Sequence, residues 1–266
     1  MYLTHKPARP LDSLVENLWW LADAPAYACE RIVPAGTFEL VINLDEDEIR
    51  VYGPDGAARR HAGAVVSGAF TRSFVVDTRE HVSLMGVHFK PGGARAFLGP
   101  RADEFTDKHV ELAALWSPAA ADRLRDALCS AAGAAERFAI LERTLQQRFI
   151  PSLAGCRFVR TLLSRPGSPV AEVAERIGRS HRSFIEVFSA EVGMTPKLFL
   201  RIRRFQRAFA LAGKPCKPAW AQLALDCGYC DQSHLIRDFV ELAGVTPAGY
   251  VRRNSTSVKP DHIALD

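Results

Sequence analysis

Two sets of hydrogen-bonding side chains recur in this chain at one fixed offset. His181, Arg182 and Glu186 stand in the first set, and Gln232, Ser233 and Arg237 stand 51 residues later in the second. Arginine presents two parallel donors that match the O6/N7 edge of guanine. Glutamine matches the N6/N7 edge of adenine, and glutamate can accept from cytosine N4. That chemistry is recognition of base edges, provided each set lies on the outer face of a helix narrow enough to enter a major groove. The alternative is a solvated polar face on a helical bundle.

The surrounding sequence supplies such a helix twice. Ala171-Glu172-Val173-Ala174-Glu175-Arg176-Ile177-Gly178 matches Ala221-Gln222-Leu223-Ala224-Leu225-Asp226-Cys227-Gly228. Each reads as a short helix stopped by a glycine in the left-handed region. Ala174 and Ala224 are small enough for a second helix to cross closely. That second helix opens at Ser180 in one copy and at Asp231 in the other, both good N-caps because their oxygens accept orphan backbone N–H groups. Phe184, Val187 and Phe188 face inward in the first copy, as do Leu235 and Phe239 in the second. Both copies close on a Gly-x-Thr-Pro turn, Gly193-Met194-Thr195-Pro196 and Gly244-Val245-Thr246-Pro247. Helix, glycine turn and capped second helix make a helix-turn-helix unit, and the repeat predicts two of them.

A helix beginning at Lys197 joins the copies. Sixteen residues span roughly 24 Å, which suits two units reaching groove faces about 34 Å apart. Among its cations, Arg201 and Arg203 are expected to reach phosphates, and Arg204 or Arg207 to form internal ion pairs.

Charge agrees with this division. Residues 1–150 carry 17 Lys+Arg against 20 Asp+Glu, whereas residues 151–266 carry 17 against 10. The basic character lies in the C-terminal part, pointing to a polyanionic partner there. No apolar run reaches the ~18 residues of a membrane helix, and residues 1–7 lack the apolar core of a signal peptide. Six scattered cysteines fit reduced thiols better than a disulfide scaffold, so a cytoplasmic location is expected.

Other chemistry is weaker. Cys227-Gly228-Tyr229-Cys230 is a lone CxxC with no second pair at zinc-finger spacing, and the helix-turn-helix repeat already accounts for it. Cys216 lies between two prolines in the connector, with Lys214 and Lys217 able to lower its thiol pKa. No phosphate loop, metal-spaced His/Glu set or nucleophile–base arrangement stands out, so neither metal nor cofactor is expected.

The N-terminal part reads differently. Period-2 runs at Thr37–Leu44, Ile49–Tyr52, Ala64–Gly68, Phe74–Val76 and Val82–Phe89 predict strands. Leu11, Leu14, Val15 and Leu18 predict an early helix over Pro10–Leu21. Residues 118–150 turn helical around Leu124, Leu128, Phe138, Leu141, Leu145 and Phe149. The fold class expected is an α+β domain over 1–150, a small sheet or barrel plus a helical hairpin serving as linker or dimer contact. An all-α domain of two helix-turn-helix units joined by a long helix follows over 151–254, and 255–266 form a disordered tail. Arg31, Glu39, Asn43 and His88 can line a ligand pocket in the first domain; the plainer alternative is a polar face on a half-exposed sheet.

Residues 157–253 resemble the DNA-binding domain of AraC/XylS-type transcription regulators. The resemblance is carried by Gly193-Met194-Thr195-Pro196, Arg204-Phe205-Gln206-Arg207-Ala208, Gly228-Tyr229, Asp231-Gln232-Ser233-His234-Leu235 and Gly244-Val245-Thr246-Pro247-Ala248-Gly249-Tyr250. It implies a seven-helix domain reading successive major grooves of double-stranded DNA, with RNA polymerase recruited, usually for activation. It places base reading at Arg182, Glu186, Gln232, Ser233 and Arg237. Glu186 departs from the usual basic or amide residue there, which favours cytosine or rejection of a wrong partner. A looser resemblance, through Arg31–Asn43, Ser67–Phe70 and Gly86–Gly93, is to the sensor-type domain of one subgroup. It implies an unidentified small-molecule effector and leaves a homodimer open. A rival reading is an enzyme domain tethered to a DNA reader.

Overall fold

The structure, a computed structural model, describes residues 1–22, 29–53, 56–78, 83–151, 156–164, 168–214, 219–253 and 261–265. The N-terminal strands are β1 Tyr2–His5, β2 Val15–Ala22, β3 Cys29–Ile32, β4 Glu39–Asn43, β5 Glu48–Tyr52, β6 Ala58–Ala62, β7 Ala64–Ser67, β8 Phe74–Asp77, β9 Ser83–Phe89 and β10 His109–Glu111. Helices α1 Arg95–Leu98, α2 Leu112–Trp116, α3 Pro118–Ser130 and α4 Ala134–Arg148 accompany them. The C-terminal part is α5 Cys156–Leu163, α6 Val170–Arg176, α7 His181–Val192, α8 Pro196–Ala212, α9 Trp220–Asp226, α10 Gln232–Ala243, α11 Pro247–Arg253 and a final strand, β11 His262–Leu265.

The strands form two antiparallel sheets, β1-β2-β9-β4-β7-β10 and β11-β3-β8-β5-β6. In the first sheet, alternation along β4 and β9 sends Leu40, Ile42, Met85 and Val87 to one face, where they meet α3 and α4 through Leu124, Leu128, Leu141 and Leu145. The opposite face turns Val41 and Val65 toward Ile49, Val51, Phe74 and Val76 of the second sheet. The expected sheet-plus-hairpin domain is therefore a two-sheet sandwich with the hairpin on its outer side. The apolar faces of α3 and α4 are covered by their own sheet. His5 Nε2 lies 3.1 Å from Glu142 Oε2, and Arg125 Nε donates to Asn43 O at 3.0 Å.

Two sequence expectations fail here. The helix predicted over Pro10–Leu21 is a 3-10 turn at Leu11–Ser13 followed by β2. A β-bulge between Val15 and Asn17 shifts the register, so Val15 and Leu18 share one face at a helix-like spacing. Trp19 and Leu21 are buried on the other face, which removes the alternation that marks a strand. The tail expected to be disordered over 255–266 is ordered where it is described. Its last residues form β11, which pairs residue by residue with β3, from His262 opposite Ile32 to Leu265 opposite Cys29. Ile263 is fully buried and His262 Nδ1 lies 2.6 Å from Glu30 Oε2.

A single apolar cluster runs from Leu11 through the helices to Ile263. The two domains thus share a core rather than holding one each. The seam is polar as well: Gln206 Nε2 donates to Pro34 O at 2.6 Å and Thr106 Oγ1 to Gly193 O at 2.6 Å. Ser73 N donates to Leu242 O at 3.0 Å and Arg31 Nη1 to Ala243 O at 3.3 Å.

Candidate nucleic-acid interface

The two units are built alike. Gly178 and Gly228 take φ values of 72° and 83°, the left-handed conformation expected of them. Arg179 N then reaches back to Ala174 O at 3.0 Å, and Tyr229 N to Ala224 O at 2.9 Å. Both alanines are completely buried. The caps are as the residue types require: Ser180 Oγ accepts from Ser183 N at 3.2 Å and Asp231 Oδ1 from His234 N at 2.7 Å. The closing turns repeat a second device. Gly193 and Gly244 end α7 and α10 at φ 87° and 66°. Thr195 Oγ1 then caps α8 at Leu198 N, 3.4 Å, with Pro196 in its first turn. Thr246 Oγ1 does the same for Gly249 N at 3.1 Å.

These local rules aim the six side chains expected at base edges. Phe184 and Phe188 bury the inner face of α7, and Leu235, Phe239 and Leu242 that of α10. His181, Arg182 and Glu186 are exposed on the outer face of α7, and Gln232, Ser233 and Arg237 on that of α10. Glu186 also lies in the field of Arg101 from the N-terminal domain, whose main partner is Asp103.

The connector α8 separates its arginines by their surroundings. Arg203 and Arg207 are exposed. Arg201, expected at a phosphate, is committed inside the protein: its Nε donates to Asp238 Oδ1 at 2.9 Å, and its two terminal nitrogens grip Glu241 at 2.8 and 2.5 Å. Arg204 sits 3.4 Å from the other Asp238 oxygen, as an internal pair, and 4.4 Å above the Tyr229 ring. Asp238 was not singled out in the sequence, although an acidic residue on the inner side of an apolar helix stripe, opposite two arginines, is a signal for such a pair. Cys227 is buried, which pushes its thiol up, and Cys230 is exposed. Cys216 lies outside the described residues.

The four residues proposed for a ligand pocket are divided. Glu39 and His88 face each other across β4 and β9, with His88 Nδ1 3.4 Å from Glu39 Oε1, and they line a cavity between the sheets. Asn43 instead fastens the β4–β5 turn, donating to Glu48 O and accepting from Asp45 N and Glu46 N. Arg31 points away into the seam with the C-terminal domain.

Residues 173–253 match a family described as a helix-turn-helix domain. Residues 3–111 match a domain of unknown function, DUF6597. An uncharacterized HTH-type transcriptional regulator of Haemophilus influenzae is 28% identical over 127 residues, 46% of this chain; the match spans less than half of that relative, 42%. In fold, the chain is similar to unsaturated fatty acid-bound ToxT of Vibrio cholerae, with a TM-score of 0.50 at 9% identity over 97% of both chains. It is similar also to ToxT bound to (E)-4-(8-methylnaphthalen-1-yl)but-3-enoic acid, TM-score 0.50 at 8% identity, over 96% of this chain and 99% of that one. At such identities the likeness is one of fold.

Two capped reading helices behind a β-rich domain define a DNA-binding transcription regulator. The helix-turn-helix match falls within the segment, residues 157–253, that resembles the DNA-binding domain of AraC/XylS-type regulators. No described helix is long and apolar enough to cross a membrane.

Proposed function

We propose that this protein is a transcription activator that reads an asymmetric DNA site in two successive major-groove segments, and that its N-terminal domain responds to a small-molecule effector. One observation carries the reading. The N-terminal domain docks on the two closing turns, at Gly193 and at Leu242–Ala243, while the six candidate base-reading side chains stay exposed. The regulatory domain therefore grips both reading units at once and is placed to alter their mutual geometry. The 17 residues of α8 correspond to about 25 Å of helix.

In this reading Arg182 and Arg237 take guanine, Gln232 adenine and Glu186 cytosine, with His181 and Ser233 beside them. Arg203 supplies a phosphate contact, and Arg201 supports α10 instead. RNA polymerase is the partner in activation, and a homodimer would pair two such sites.

Selection of bound DNA from a random pool by the full-length chain, with and without metabolite extract, tests this. Arg237→Ala should relax one base position. Arg203→Ala should weaken all sequences alike and reduce the salt slope by about 1. An unchanged selected profile for Arg237→Ala would refute the placement of the second reading helix. Transcription in vitro from a selected site decides between activation and repression.

A further inference from the structure

The facing sheets leave a partly open cavity of about 30 Å³ between them. That is roughly the room of two waters, or of one small polar head group. Its described lining carries two carboxylates and one imidazole, His88, and a second imidazole, His262 Nε2, lies 3.7 Å from Asp261 Oδ1. Glu39 and Asp261 both line it, and no lysine or arginine is among its described lining residues. Glu39 Oε1 is buried without a hydrogen-bond partner. A buried acceptor lacking a donor is rare in a native protein and marks a place where a donor belongs. His88 approaches it, at 3.4 Å, but makes no hydrogen bond to it. The Tyr2 phenol is pushed up chiefly by burial and then by the negative charge of Glu39 and Asp261, so one hydroxyl feels both carboxylates. On another wall, Phe70 and Phe74, which pack on each other with ring centroids 4.3 Å apart and on His109, supply aromatic carbon that suits a hydrocarbon or a cation.

Asp261 makes the cavity more than a hole in a sandwich. It comes from the segment that follows the DNA-binding domain. Its carbonyl accepts from Val33 N at 3.1 Å, and β11 begins at the next residue. A ligand held by Asp261 is held by the strand that ties the end of the DNA reader to the regulatory sheet.

We propose that this cavity binds the ammonium group of a small organic amine between Glu39 and Asp261, with Phe70 and Phe74 against its carbon skeleton, and that its occupancy tightens β11 on the regulatory domain. The proposal rests on the effector reading above and gives that effector a charge. The charge is opposite to that of the carboxylic acids bound to ToxT in the similar folds.

The test uses the full-length chain. n-Butylamine, putrescine and phenethylamine are compared with butyrate and oleate by thermal shift and calorimetry at matched ionic strength. DNA affinity is measured with and without each compound. At least one amine should raise the unfolding midpoint and change the DNA dissociation constant, and Glu39→Gln and Asp261→Asn should each weaken amine binding at least tenfold. The wild-type comparison of amines with acids stands even where a variant fails to fold. Binding of the acids alone, or of none of the five, overturns the amine assignment. Amine binding with unchanged DNA affinity overturns the coupling through β11. Metabolite extract separates the two levels: if it alters DNA affinity while no amine binds, effector control stands without this ligand class. If neither extract nor amine alters DNA affinity, effector control itself fails.

Discussion

Arg201 of α8 and Asp238 of α10 are joined by a 2.9 Å hydrogen bond from the guanidinium Nε to a carboxylate that is only 2% exposed. Arg204 approaches the second carboxylate oxygen and Glu241 holds the outer side of Arg201. The capped second helix of the second unit, α10, is thereby bolted to the connector. Removing the acid leaves two cations facing a buried site. Asp238→Ala should lower stability by about 3 kcal/mol or more in urea unfolding. Arg201→Ala should also destabilise, yet leave the salt slope of DNA binding as it was, which separates it from Arg203→Ala. A slope reduced by about 1 for Arg201→Ala would return that residue to the phosphate contacts.

Gly178 and Gly193 both sit in the left-handed region, at φ 72° and 87°, but their surroundings differ. A Cβ on Gly178 would meet nothing within 4 Å, whereas one on Gly193 would come within 3.0 Å of Ala69 Cβ and 3.1 Å of both Ala102 O and Phe38. Gly178→Ala should therefore carry only the backbone penalty, about 1–2 kcal/mol. Gly193→Ala should cost more and should open the seam between the domains. Unfolding midpoints together with limited proteolysis check the contrast; equal losses and equal cleavage would contradict it.

His109 gives the stability a pH dependence. Burial, with the neighbouring His61 as a smaller cause, lowers its imidazole from 6.5 to about 3. Its Nδ1 lies 3.0 Å from Ser67 Oγ, and Phe70 and Phe74 pack on the ring. The unfolded chain takes up the proton first, so the neutral ring's contribution is intact above about 6.5 and is lost as pH falls from there toward 3. The loss is at most about 1.4 kcal/mol per pH unit. Urea midpoints between pH 7.5 and 5 should fall more steeply for the wild type than for His109→Gln. Parallel curves would rule His109 out as the source.

The final strand is structural. Ile263 is fully buried within the cluster shared by both domains. Ile263→Ala should cost about 2–4 kcal/mol. Truncation after residue 253 should bare the edge of β3 and speed proteolysis between the domains. A truncated chain as stable and as resistant as the full one would show that β11 adds nothing.

By itself the sequence determined the two helix-turn-helix units. Their signals are local: a glycine where φ must be positive, a cap oxygen three residues from the N–H it accepts, and a Thr-Pro that ends one helix and begins the next. Such interactions close within a few residues, so order along the chain suffices to read them. It determined the central strands β4, β5, β7, β8 and β9 for the same reason, through alternation bounded by turns. Only the tertiary structure decided the rest. A bulge gave β2 a helix-like spacing, and β11 is a strand only because β3 offers it an open edge more than 200 residues earlier. Of the two arginines expected at phosphates, Arg203 is exposed while Arg201 is paired, because Asp238 and Glu241 reach it from another helix. The pocket set was divided for a like reason. Glu39 and His88 come together through strand register, while Arg31 is drawn off by a carbonyl of the DNA-binding domain. Contacts between residues distant in sequence depend on which surfaces meet, and residue order does not record that.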